Sequence, residues 1–225
     1  KFQSIKNFQI DHQSIFDIIL CISFDPFDKK MKNEFGYFPS VESLHQWLLT
    51  LFLDLDNWNR GQAKSVGHLF DEINNGESSI QLKPPLRVVN VVQVLVSHDG
   101  KYLLELEQEL DDKRTRKRNI PPSEKMKPGE NCLDAARRCL LEELQIADKD
   151  IEMLSDECKA IYRYRNSRSY PGLRTKYCIY QVKVYVKNLP VEGFWTEEKA
   201  KHGVQEITRR FYWGWGNLKM IKVPD

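Results

Sequence analysis

The spacing of apolar positions changes near residue 85, and the change divides the chain into two unlike parts. Over the first 82 residues the pattern is mainly helical and carries little punctuation. From Ser40 to Leu53, Leu44, Trp47, Leu48 and Phe52 recur near a period of about 3.6, with Ser40 or Ser43 placed to cap the helix. A second helix is predicted over Gly61–Ile73, ending before Asn74-Asn75-Gly76. The pair reads as a helical hairpin packed on the next domain or on a partner, so a protein partner is expected through residues 40–75. Such a partner would leave the stripe of Leu44, Trp47, Leu48 and Phe52 incompletely covered by its own chain.

Leu82-Lys83-Pro84-Pro85-Leu86 is a natural boundary, because two adjacent prolines stop regular structure. It separates a helical N-terminal segment, 1–85, from a domain over 86–225. Beyond it, Arg87–Val96 is rich in β-branched residues and predicts a strand buried on at least one face. Ser97-His98-Asp99-Gly100 reads as a hairpin turn, and Lys101–Glu107 alternates as the returning strand. A basic, polar loop is predicted from Gln108 to Asn119. Asn131–Leu144 is the clearest helix, with Leu133, Ala136, Leu140 and Leu144 on one stripe and Asn131 as its cap. Ala160–Arg165 and Thr175–Val186 read as strands around a Tyr-Pro-Gly turn. Trp195–Glu206 reads as loop or short helix, and Arg209–Trp215 as a last strand. This order predicts an α/β sandwich with the helix on a sheet face.

Composition narrows the class only a little. A formal charge of +2 with 29% charged residues points to no partner by itself, so electrostatic arguments must be local. The five cysteines are widely spaced without a C-x-x-C pair, which suits neither a disulfide framework nor a zinc site. A reducing, intracellular compartment is therefore expected. No stretch approaches the roughly 18 apolar residues of a membrane span, and Ile15–Phe24 lacks the basic leader and cleavage site of a signal peptide. Because it begins at Lys1, the chain reads as a processed form or a piece of something longer.

The chemistry concentrates around the clearest helix. Aligned on Glu142-Glu143, the chain resembles the signature of the Nudix hydrolase family, G-x5-E-x7-R-E-U-x-E-E-x-G-U, where U is a bulky aliphatic residue. Six of the nine defined positions agree: Glu130, Arg138, Leu140, Glu142, Glu143 and Ile146. The box is degenerate at three, with Glu124 and Gln145 for glycines and Cys139 for a glutamate. The resemblance covers residues 86–216 and implies a Nudix-like α/β/α sandwich preceded by the mainly helical segment. It also implies Mg²⁺ or Mn²⁺ held by Glu142, Glu143 and Glu130. Glu197, Glu198 and Glu206 are the candidates for a further carboxylate from the late segment.

The family's acids have a physical purpose. Water attack on a phosphoanhydride needs a divalent cation to neutralise developing charge, and oxygen ligands suit Mg²⁺. Positions 139, 142 and 143 lie three and four apart, so they share a helix face, and Cys139 is expected to face the pocket. A thiol is a poor Mg²⁺ ligand. A side chain at Glu124 stands where a glycine would let the loop approach the metal closely. Taken alone, the Arg138–Glu142 spacing also suits an ordinary solvated ion pair.

Two basic clusters offer phosphate contacts. Lys113, Arg114, Arg116, Lys117 and Arg118 precede the box, and Arg163, Arg165, Arg168, Arg174 and Lys176 lie among Tyr162, Tyr164, Tyr170 and Tyr177. Arginine grips phosphate bidentately and tyrosine offers a stacking face, so Arg163, Arg165, Arg168, Arg174 and Tyr170 are the candidate ligand residues. Solvated side chains would explain both clusters equally well. Three readings follow. The first is a module that binds a phosphorylated small molecule or an RNA 5′ end, with hydrolysis weak or lost. The second is a metal-dependent hydrolase of a nucleoside diphosphate linked to another group. The third is a structural subunit of a larger assembly.

Overall fold

The computed structural model describes residues 34–109, 115–202 and 205–218. Two local signals start the N-terminal helices. Ser40 caps α1 (Val41–Thr50) by a reciprocal bond with Ser43, and Ser65 caps α2 (Val66–Asn74) in the same way with His68. The segment then enters a hairpin: β1 (Ser79–Gln81) pairs antiparallel with the start of β2 (Leu86–His98), Gln81 opposite Leu86. The prolines expected to mark a boundary form the turn of that hairpin.

β2 pairs in parallel with β8 (Arg174–Val186) from Arg87–Thr175 to Val96–Val184, and these strands form the centre of the first wing of the sheet. β7 (Lys159–Asn166) and the short β6 (Ile151–Met153) flank β8, while β1 and β5 (Ser123–Lys125) flank β2. A tight turn with positive φ at Asp99 and Gly100 carries the chain into β3 (Lys101–Glu109). β3 then leaves β2 and pairs with β10 (Gln205–Gly216), which pairs with β9 (Phe194–His202), to make the second wing.

Besides the short β1, β5 and β6, two longer strands were not expected. β4 (Thr115–Ile120) occupies half of the predicted basic loop and pairs with β3, Glu107 opposite Lys117 and Gln108 opposite Arg116. Charge complementarity across the ladder orders it, a signal that lies outside its own segment. Lys113 and Arg114 lie outside the described residues. β9 replaces the predicted loop or helix because Phe194 and Trp195 pair across to Trp213 and Tyr212.

Strand alternation distributes two cores. Even positions of the central strands (Val92, Val94, Val96, Val182, Val184, Val186) face α3 (Cys132–Leu144), and Leu103, Phe211 and Trp213 complete the main core from the second wing. α3 buries Ala135, Ala136, Cys139, Leu140 and Leu144 against it. A second core joins Phe38, Leu44, Leu48, Trp58, Leu69 and Ile80 to Tyr170 and Leu173 from the β7–β8 connection. Trp58 Nε1 donates to the Pro171 carbonyl at 3.0 Å, which ties the same parts together. The stripe expected to stay open is thus divided: Leu44 and Leu48 are buried, Trp47 packs on Phe38, and Phe52 is 96% exposed.

One expectation about cysteine is corrected. Cys132, at the first turn of α3, is joined to Cys158 before β7, with Cα atoms 6.5 Å apart. The two lie 26 residues apart and met only when the fold brought the helix N-terminus to the sheet edge. No helix among the described residues is long and apolar enough to cross a membrane.

Candidate functional site

The site is built on the corner between β5 and α3. Asn131 caps α3 by accepting from Leu133 N at 3.0 Å and Asp134 N at 2.9 Å. Before the cap, Glu130 closes a turn through Gly129, which has a φ of 72°: the Lys127 N–H donates to the Glu130 carboxylate at 2.8 Å. Arg138, two turns into the helix, reaches back across this corner. Its guanidinium donates to both Glu130 oxygens at 2.8 and 2.9 Å and to the Lys125 carbonyl at 2.8 Å, and its remaining arm reaches Glu142 at 3.0 Å. The bidentate contact holds the Glu130 carboxyl below its ordinary range, and the Glu130 hydrogen bond pushes Arg138 further up. Glu130 is therefore occupied by protein partners at both oxygens, which argues against its expected part as a metal ligand.

Glu142 takes the remaining arm of that clamp, and Glu143 follows it on the helix. The Glu142 side chain is 50% exposed, and Glu143 is half-buried with one oxygen covered. Cys139 lies one turn before Glu143 but is 0% exposed and belongs to the main core, so the expectation that it faces the pocket is corrected. The helical spacing was sound, but the face rotates inward at position 139. Burial, with Glu143 and Glu124 close by, pushes the Cys139 thiol well up, so it is protonated. Glu124 sits in extended backbone on β5, opposite Val92, and its carboxylate accepts from the Lys125 N–H at 2.9 Å. Nothing in that geometry calls for a glycine. Among the described residues no group of three His, Cys, Asp or Glu side chains is placed to hold a metal ion. Glu197 pairs with Arg210 at 3.2 Å, and the side chains of Glu198 and Glu206 lie outside the described residues.

The other lost glycine does matter. Gln145 ends α3 in the left-handed region with a φ of 58°, while its N–H donates to the Leu141 carbonyl at 3.0 Å. A side chain there costs about 1 kcal/mol or more. Gln145→Gly is expected to raise stability by about 1 kcal/mol and the melting temperature by roughly 2–4 °C. A thermal melt showing no rise would contradict this account of the helix end.

The candidate ligand residues do not form one constellation. Tyr170 is 0% exposed, with Trp58 5.3 Å away and the Arg87 guanidinium 5.0 Å over its ring, so it is a core residue and stacks on no ligand. Arg163 and Arg165 pair with Tyr177 and Thr175, whereas Arg174 pairs with Asn166, so alternation puts them on opposite faces of the hairpin. Arg168 is exposed in the connecting turn. On β4, Arg116 bonds Gln108 and Arg118 lies 3.4 Å from Glu105, so these two arginines of the first cluster are engaged with β3.

Sequence reasoning missed an ion cluster beside the corner. Glu72 of α2, buried, contacts Arg87 at 2.5 Å, Lys64 at 2.7 Å and Lys125 at 3.2 Å, and Lys125 also meets Glu77 at 2.8 Å. Burial would push the Glu72 carboxyl up, but the charge of Arg87, with Lys64 and Lys125, outweighs it and holds the pKa at about 2. Gly76, after α2, packs so closely on Pro128 that a side chain would collide. A cavity of about 450 Å³ lies in this seam, lined by Asn75, Glu77, Glu124, Lys125, Lys127 and Arg138 among others. A wider groove of about 730 Å³ opens at the C-terminal end of α3, where Lys149 and Lys187 are balanced by Asp150 and Glu197.

No family model matches the chain, and no curated protein matches it. Solved structures do. A Nudix hydrolase from Nitrosomonas europaea is 19% identical, with 58% of this chain and 72% of that one covered and a TM-score of 0.34. A binary complex of the C. elegans Ap4A hydrolase is 18% identical over 58% and 81%, with a TM-score of 0.32. A further structure of the C. elegans Ap4A hydrolase is 18% identical over 59% and 82%, with a TM-score of 0.29. These similarities are too low to bear on the site, whose case rests on its own residues.

Proposed function

We propose that this chain is a Nudix-like domain that binds a phosphorylated ligand beside Glu142 and Glu143, with hydrolysis weak or lost. The ligand class is a nucleoside diphosphate derivative or an RNA 5′ end. The observation that carries the reading is the corner itself: Glu130, Arg138 and Glu142, eight and four residues apart, close into one hydrogen-bonded unit that presents the acid pair. Glu142 and Glu143 fit a weakly held, largely hydrated Mg²⁺ or Mn²⁺, which typically takes one or two carboxylates and completes its shell with water and phosphate. When bound, such an ion neutralises phosphate charge. Cys139, turned into the core, adds no third acid, which favours binding over turnover.

Mn²⁺ is expected to bind in the millimolar range, about 4 kcal/mol. Paramagnetic relaxation by Mn²⁺ checks this against a Glu142→Gln, Glu143→Gln double variant, and identical relaxation in both proteins would remove the metal from the proposal. Turnover of ADP-ribose or diadenosine polyphosphates at several per second would favour the hydrolase reading instead. The third reading has its own support, since Phe52 is nearly fully exposed with a φ of 56° and Leu49 is 43% exposed on the same helix end. That apolar end suits a protein partner through residues 40–75.

A further inference from the structure

The N-terminal segment meets the corner at two points. At the first, Lys125 faces both ways. Its ammonium lies 2.8 Å from Glu77 and 3.2 Å from Glu72, while its backbone carbonyl accepts from the Arg138 guanidinium at 2.8 Å. At the second, Gly76, with a φ of 70°, packs on Pro128, the residue before the Gly129 turn that Glu130 closes. A Cβ at position 76 would come within 2.2 Å of the Pro128 ring, so only a glycine allows this approach.

The segment between α2 and β1 is held at several atoms. The Gly76 N–H donates to the Ile73 carbonyl at 3.0 Å, and the N–H groups of Glu77 and Ser78 donate to the Glu72 carbonyl at 2.8 and 3.2 Å. The Glu72 side chain is buried and fixed by Arg87 and Lys64. Lys125, on the other side, is the last residue of β5, a strand of three residues paired to β2. A ladder this short fixes its end weakly, so the ion pairs of the Lys125 side chain add to its placement.

That placement bears on Arg138. Its guanidinium divides itself among Glu130, the Lys125 carbonyl and Glu142, with one arm on Glu142 at 3.0 Å. A guanidinium is a permanent cation and competes with a metal ion for the same carboxylate. Withdrawing the carbonyl would free Arg138 to lean further onto Glu142.

We infer that Lys125 is a positioning residue, through which α2 and the turn after it hold Arg138 back from Glu142 and keep the acid pair available to a divalent cation. The inference rests on the phosphorylated-ligand reading for its metal, and it makes the N-terminal segment part of the site.

The sign of one substitution separates positioning from simple charge. Lys125→Met removes a positive charge from the corner, so through-space attraction alone would tighten Mn²⁺ binding. Positioning demands the opposite: in an Mn²⁺ relaxation titration of the full chain, affinity should fall roughly threefold to tenfold. Lys125→Arg, which keeps the cation for Glu72 and Glu77, should restore it. Lys64 pairs with the same Glu72 but is anchored to the Ser169 carbonyl, so Lys64→Met should leave Mn²⁺ affinity unchanged.

The NMR signal of the Arg138 Nε–H gives a second readout that needs no metal. It should shift in Lys125→Met and in Glu77→Gln, a milder change at a half-buried residue, and stay in place in Lys64→Met. Unchanged or tighter Mn²⁺ binding in Lys125→Met, or an unmoved Arg138 signal, overturns the coupling and leaves metal binding at the acid pair intact. If the parent's relaxation already equals that of the Glu142→Gln, Glu143→Gln double variant, the metal reading fails instead. The Arg138 signal then decides by itself whether α2 sets that guanidinium. Similar melting temperatures for Lys125→Met and Lys64→Met will separate lost positioning from lost folding.

Discussion

Glu72→Gln is expected to destabilise the protein by about 3–5 kcal/mol, the largest effect of any single polar substitution discussed, because it leaves Arg87 buried without its charge partner. Glu72 gathers Arg87, Lys64 and Lys125 within 3.2 Å, and Arg87 is itself 4% exposed over the Tyr170 ring. The same cluster sets a pH dependence. The native carboxyl titrates at about 2 against an ordinary value of 4.5, so the unfolded chain binds this proton first as pH falls. The stabilisation, on the order of 3 kcal/mol, is therefore complete above about pH 4.5 and is lost as pH falls toward 2. Urea titrations of parent and variant should differ in midpoint at pH 7 and converge near pH 2. A variant as stable as the parent at neutral pH would show that the cluster does not hold α2 to the sheet.

Cys139→Glu is expected to destabilise by several kcal/mol and to restore no hydrolysis. Position 139 is fully buried among Val92, Leu140 and the strands beneath α3, and Glu143 and Glu124 already lie close to it. A glutamate there must desolvate a carboxyl, add volume to a packed core and meet two like charges. The opposite expectation, a gain of metal affinity and turnover, holds only if the side chain reaches the acid pair from the solvent side. Chemical denaturation together with product release from ADP-ribose distinguishes them. A folded Cys139→Glu variant with faster turnover than the parent would reverse the assignment of that residue to the core. Cys139→Ala, by contrast, removes a small apolar group and should cost far less.

These two residues show where sequence reasoning ended. The Glu130–Arg138–Glu142 spacing was legible because helical period and a short capped turn are local properties, but Glu130 was expected at a metal and lies on Arg138 instead. The same period correctly related Cys139 to Glu143. It was also read as turning Cys139 to the pocket, and that failed because the rotation of the strip depends on what the opposite strands need covered. Glu72 gave no signal at all. In sequence it is one acid on an amphipathic helix, and its partners Arg87 and Lys125 lie 15 and 53 residues onward.

The chain's own pattern was enough to specify α1, α3 with its Asn131 cap, the Asp99-Gly100 turn and the two central strands, because each follows from dihedral preference and local periodicity. Tertiary structure alone decided β4 and β9, whose order comes from partners across the ladder rather than from their own residues. It alone joined Cys132 to Cys158 and put Tyr170 in a core shared with the N-terminal helices. It also divided the arginines of β7 and β8 between opposite faces. A cluster in sequence becomes a site only when the side chains share a face, and with a strand period of two, neighbouring residues point in opposite directions.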